Sequence, residues 1–118
     1  MDINKRRLGR TDVMVSELCL GTMVFGHQTD ELTAHRLMDH AVASGINFFD
    51  AAERYPVPMQ ESTFGHTEEI IGTWLKARGC RDDIILATKI TGRSSNSFVR
   101  RDLQVKGEVR IDKRNIEA

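Results

Sequence analysis

Apolar residues along this chain fall into short blocks separated by polar turns, and the spacing within the blocks alternates between two kinds. In "TDELTAHRLMDHAVASG", Ala34, Leu37, Met38, Ala41 and Val42 recur every three or four residues and share one helical face. Asp30 and Glu31 put negative charge where a helix starts, and Gly45 stands where it stops. A second helix is predicted from Thr67, a good N-cap, with Glu68 and Glu69 in its first turn. Ile70, Ile71, Trp74 and Leu75 form its stripe, and Gly79 ends it. Gly72 inside that helix costs about 1 kcal/mol relative to alanine, which predicts a close contact there.

The remaining blocks read as strands. "SELCLGTMVFG" (16–26) opens as one, "INFFDA" (46–51) is a second, and "DIILATKI" (83–90) a third. The order is strand, helix, strand, helix, strand. The helices are long enough to be crossovers, so the strands are expected to be parallel with right-handed connections. Continuous apolar runs predict a sheet covered on both faces. Residues 1–17 are expected to form a hairpin turning around Gly9 to Asp12, and 18–90 the βαβαβ unit. After Ile90, "TGRSSNSFVRRDLQVKGEVR" has no sustained period and reads as a long loop, and "DKRNIEA" as the start of a third helix.

Composition narrows the class. With 118 residues, one domain with one modest core is expected. Seventeen basic and seventeen acidic residues cancel, so global charge argues for neither nucleic acid nor membrane. No apolar stretch approaches the roughly 18 residues of a membrane span, and "MDINKRRLGR" lacks the apolar centre of a signal peptide. Cys19 and Cys80 are read as free thiols in a reducing cytoplasm. His35 and His40 are five apart, the wrong helical spacing for a shared metal, and no Cys-x-x-Cys occurs, so no metal is expected. The segment 93–118 has seven Lys/Arg against four Asp/Glu, a net +3, and is read as a solvated loop.

The candidate chemistry sits at strand tips. Asp50 and Lys89 end adjacent strands, and Tyr55 lies in the loop after the second. In parallel α/β folds ligands bind at those tips. A phenol is a poor acid at neutral pH, and a neighbouring ammonium favours its phenolate. A carboxylate paired with the lysine keeps the ammonium in place. Such a trio suits protonation of an oxygen on which negative charge develops, as when hydride reduces a carbonyl. None of the three supplies hydride, so a cofactor must. Plainer readings stand beside this one: Asp50 capping a loop, Lys89 leaving the core for solvent, Tyr55 packing beside Pro56.

The segments "LGRTDVMVSELCLGTMVFG", "GINFFDAAERY", "GHTEEIIGTWL" and "IILATKI" together resemble the first third of an aldo-keto reductase, in the Tas-like branch of that family. The resemblance runs from about Arg7 to Glu117. It implies an α/β fold of the (β/α)8 TIM-barrel type, present as the first three β/α units after a short hairpin. It implies an NADP(H)-dependent oxidoreductase that reduces aldehydes and ketones to alcohols. By motif, Asp50 pairs with the lysine, Tyr55 donates the proton and Lys89 tunes the tyrosine. Gly21, Thr22 and Met23, with Asp50, are expected beside the nicotinamide end of the cofactor, and Phe25 at the substrate mouth.

Two departures from the family pattern matter. Tyr55 is followed by "PVPMQESTFG" rather than glycine and a short loop, which reshapes the mouth. The family's catalytic histidine lies at the end of the fourth strand, and none of His27, His35, His40 or His66 occupies that motif. A (β/α)8 barrel takes about 250 residues. The chain alone is therefore expected to be an incomplete fragment, self-associating through exposed strand edges. The alternatives are a non-catalytic binding or regulatory subunit of the same fold, or an inactive fragment. No Gly-rich dinucleotide fingerprint occurs, and the resembled family binds NADP(H) without one.

Overall fold

A computed structural model describes residues 2–117. Two short strands, β1 (Lys5–Arg7) and β2 (Met14–Ser16), pair antiparallel as the expected hairpin. Leu8 N–H donates to Val13 O at 2.9 Å, and the Thr11 hydroxyl donates to Leu8 O at 2.7 Å, closing the turn. Met1 lies outside the described residues.

The main unit runs β3 (Leu20–Gly21), α1 (Glu31–Ala43), β4 (Phe48–Asp50), α2 (His66–Arg78) and β5 (Ile85–Ala87). The three strands are parallel in the order β3-β4-β5, with Gly21 opposite Asp50 and Asp50 opposite Ala87. That register brings three strand ends to one rim. The strands are shorter than the apolar blocks that signal them, and β3 keeps only two residues of its block.

Asp30 caps α1, its side chain accepting from Thr33 N–H at 2.8 Å. The buried stripe is Ala34, Met38 and Ala41, narrower than expected, with Leu37 and Val42 exposed on its flanks. Helix α2 begins one residue before the expected N-cap. Gly65 holds that position at φ +84°, a left-handed conformation that suits glycine, with no side-chain cap. Thr67 lies inside the helix, fully buried, and its hydroxyl donates to Phe25 O at 2.6 Å. Gly72 makes no close contact: nothing lies within 4 Å of where its Cβ would sit. Gly79, at φ +62°, ends the helix as expected.

One core joins the helices to the sheet through Met38, Phe49, Ile71, Trp74 and Ile84. Phe49 and Trp74 rings meet at 5.6 Å between centroids, tilted by 37°. Phe25 is 2% exposed and belongs to this core, so it does not line a mouth. The expectation of a sheet covered on both faces holds on one face only. Phe49 is buried against the helices, whereas Phe48, Asp50 and all of β5 are half-buried. A βαβαβ unit whose helices pack together has only one layer to offer its sheet.

Residues 91–112 form the expected loop, yet it is not simply solvated. Val99 and Val109 are fully buried, and Ser94 bridges Val109 while Val105 bridges Glu108. Phe98 meets Phe64 edge to face at 5.9 Å. Of the expected last helix, α3 spans Lys113–Glu117, and Ala118 lies outside the described residues. Both cysteines are free thiols, Cys19 exposed and Cys80 half-buried.

Candidate active site

The rim is built by extending the β4–β5 ladder past the strand ends. Ala51 N–H donates to Ala87 O at 2.8 Å, and Glu53 N–H donates to Lys89 O at 3.0 Å. The chain then turns: Tyr55 N–H donates back to Ala52 O at 3.1 Å, which swings the phenol over the adjacent strand. Pro56, the next residue, is fully buried. Val57 N–H donates to Met23 O at 2.9 Å, fastening this loop to the segment after β3.

These turns gather Asp50, Tyr55 and Lys89. Lys89 Nζ donates to Asp50 Oδ2 at 2.7 Å, to Ala51 O at 2.8 Å and to Tyr55 Oη at 3.3 Å. An ammonium has three N–H donors, so all three have acceptors. The same nitrogen lies 4.9 Å from the Tyr55 ring centroid, within cation–π reach. Partial burial alone would lower the Lys89 pKa, but the hydrogen bonds to Asp50 and Tyr55 outweigh it and hold the ammonium above its usual range. Lysine and aspartate are half exposed. Such a pair adds at most about 1 kcal/mol to stability, so its consequence is geometric: it aims a cation at a phenol.

The β3 end presents a different surface. Gly21 is exposed, with open space where a Cβ would stand. Thr22 is fully buried, and its hydroxyl donates to Asp50 O at 2.7 Å, so its side chain braces the aspartate backbone from below. Met23 is half exposed. Gly21 and Met23 thus share the rim with Asp50, while Thr22 reaches it only through its backbone.

Sequence reasoning missed Glu53. Its Oε2 accepts from Thr91 N–H at 2.7 Å and its Oε1 from Arg100 Nε at 2.7 Å. Arg101 adds a longer, exposed contact to Glu61 at 3.2 Å. Forty-seven residues separate Glu53 from Arg100, and no local spacing connects them. Among the described residues, no histidine hydrogen-bonds to Asp50, Tyr55 or Lys89. His35 Nε2 lies 3.1 Å from Thr73 Oγ1, which donates to Glu31 Oε1 at 2.5 Å. Glu31 and Thr73, with His66, Glu69 and Ile70, line a cleft of about 350 Å³ between α1 and α2 that shares no residue with the rim. Among the described residues no group of three His, Cys, Asp or Glu is placed to hold a metal ion, and no helix is long and apolar enough to cross a membrane.

Known proteins match the chain in sequence and in fold. The sequence model of the Aldo/keto reductase family matches residues 17–117. Protein tas of Escherichia coli (strain K12) is 43% identical over 110 residues, which cover 93% of this chain and 31% of that protein. An uncharacterized oxidoreductase, YrpG, of Bacillus subtilis (strain 168) is 51% identical over 84 residues, 70% of this chain and 25% of that protein. Among solved structures, the holo form of aldo-keto reductase AKR11C1 from Bacillus halodurans superposes with a TM-score of 0.62 at 42% identity, covering 78% of this chain and 27% of that one. The chain thus spans between a quarter and a third of the length of these two curated relatives. It belongs to the aldo/keto reductase family, and its parallel unit is the N-terminal part of a (β/α)8 barrel.

Proposed function

We propose that this chain carries the proton-donating part of an NADP(H)-dependent carbonyl reductase acting on aldehydes or ketones. The observation that carries the reading is Lys89 Nζ, held between Asp50 Oδ2 and Tyr55 Oη at the strand tips. Membership of the family and the likeness to a relative solved in a holo form support a nicotinamide cofactor. The residues present fit one end of it: open space over Gly21, the exposed Met23 and the Asp50 carboxylate lie on the same rim as the phenol. Gly21 and Met23 would hold that end of the cofactor.

When bound, the nicotinamide supplies hydride to the carbonyl carbon. The chain's own residues manage the oxygen. Tyr55 gives its phenolic proton to the carbonyl oxygen as negative charge grows there. Lys89, already donating to Tyr55 Oη, stabilises the phenolate left behind, and solvent returns the proton. Asp50 and the Ala51 carbonyl take the two other ammonium N–H groups, so the third stays directed at Tyr55. Run backwards, the same groups accept a proton from an alcohol.

The test is NADPH-dependent reduction of 4-nitrobenzaldehyde by the protein expressed from its complete reading frame. Tyr55→Phe is expected to lower kcat by about 10²- to 10⁴-fold with NADPH affinity within about twofold. Full activity in that variant would remove Tyr55 from the chemistry. NADPH binding without turnover of any carbonyl would favour a binding or regulatory role instead.

A further inference from the structure

We propose that Glu53 is a positioning residue: its single carboxylate continues the β4–β5 ladder where the backbone must leave it, and so fixes Lys89 against Tyr55. This role rests on the reductase reading above. The backbone pairing advances two residues at a time, from Ala51 with Ala87 to Glu53 with Lys89. The next donor along the second strand is Thr91 N–H. By then the first strand has turned away to carry Tyr55 back over Lys89. A backbone acceptor is no longer in place, and Glu53 Oε2 takes the donor at 2.7 Å. Glu53 therefore holds the Lys89 segment twice, with its backbone at the Lys89 carbonyl and with its side chain two residues on.

The second oxygen extends the hold to the following loop. Glu53 Oε1 accepts from Arg100 Nε at 2.7 Å, with the two side chains 21% and 14% exposed. Water and salt screen so sheltered a pair less than they screen the exposed Arg101–Glu61 contact. Burial pushes the Glu53 carboxyl up, but hydrogen bonds from Arg100 and Thr91 outweigh it and leave it below the usual range, so it stays ionised at neutral pH. The 91–112 loop is thereby tied to the residues that carry Tyr55. A loop next to a proton donor must be held still if the donor is to meet its acceptor at a fixed distance.

Glu53→Gln is the discriminating variant. It keeps the shape but offers one acceptor oxygen instead of two, so it cannot serve both donors. Amide hydrogen exchange across 89–104 is expected to quicken by about tenfold, with α1 and α2 unchanged. In the full-reading-frame protein, kcat with 4-nitrobenzaldehyde is expected to fall about five- to tenfold, while NADPH affinity stays within about twofold. Glu53→Ala should exceed Glu53→Gln in both respects. Unchanged exchange across 89–104, or quicker exchange there with unaltered kcat, would overturn the role. So would uniformly faster exchange reaching α1 and α2 in the Gln variant, which would make Glu53 a general determinant of folding. If Tyr55→Phe retains turnover, the reductase reading falls, and exchange across 89–104 still decides whether Glu53 clamps the rim.

Discussion

Two places in this molecule join an aspartate, a basic side chain and an aromatic one: Asp39 with Arg78 and Trp74 on the helices, and Asp50 with Lys89 and Tyr55 on the rim. In the first, the carboxylate is the hub. Arg78 Nε and Nη2 donate to its two oxygens at 2.9 and 2.7 Å, and Trp74 Nε1 donates at 2.8 Å. In the second, the cation is the hub, and it donates to both the carboxylate and the phenol. The direction of donation separates the roles. The indole's one N–H is consumed by Asp39, whereas Tyr55 receives a hydrogen bond and keeps its own O–H to give away. Arginine forks onto a carboxylate and stays charged, which suits a fastening, while lysine presents a point charge that can be aimed at a reacting oxygen.

Separating stability from turnover is the strongest way to break this comparison. Trp74 is 1% exposed and packs against Phe49, so Trp74→Ala is expected to cost about 3–5 kcal/mol in urea unfolding. That is a large share of the roughly 5–15 kcal/mol available to a domain. Tyr55→Phe, which should nearly abolish turnover, is expected to shift stability by under about 0.5 kcal/mol. If the two variants proved equally destabilising, the rim would be part of the core framework and the contrast between the two triads would fail.

A smaller effect separates the triads by pH. The hydrogen bonds from Arg78 and then Trp74 hold the Asp39 carboxyl at about 2, below its ordinary 3.8. A carboxyl whose folded pKa is depressed contributes stability that is present above the unfolded pKa and lost as pH falls through the folded one. The melting temperature should therefore decline between about pH 4 and pH 2 through this group. Asp39→Asn should flatten that decline. An identical acid limb in the variant would show that the fork on Asp39 does not couple to folding.

How far these features were legible in the sequence follows from the range of each signal. Helices α1 and α2 announce themselves because a packed helix repeats its apolar residues every three or four positions. Asp50, Tyr55 and Lys89 were legible because a strand-tip rule and a family resemblance converged on them. Thr67 was misread as a cap because a threonine before two glutamates looks the same whether its hydroxyl serves its own helix or, as here, Phe25 O forty-two residues away. Phe25 was misplaced at the mouth, since an apolar residue past a strand gives no sign of which side its ring will take. Glu53 was invisible for the same reason as Asp39: each finds its arginine only after the strands and helices have been brought together. The local pattern encodes the elements, and the cross-chain carboxylates that tension them appear only in the fold.

The subtlest expected effect lies at the opposite end of the pH scale. The Lys89 ammonium is weakened by burial and strengthened more by Asp50 and Tyr55, so its folded pKa is raised. For a raised lysine, the contribution is complete below the unfolded pKa of about 10.4 and disappears as pH climbs through the folded value. Stability through this group should thus be flat across neutral pH and decline only above about pH 10. Other lysines titrate there too, so the quantity to read is the difference in melting temperature between the native chain and Lys89→Met. That difference should shrink above about pH 10 and also when salt is raised, since the pair is half exposed and screened. A difference that persists unchanged at high pH would mean that Lys89 stabilises the rim through its aliphatic stem. The ammonium would then be free of the fold's energetics, and its place between a carboxylate and a phenol would belong to chemistry alone.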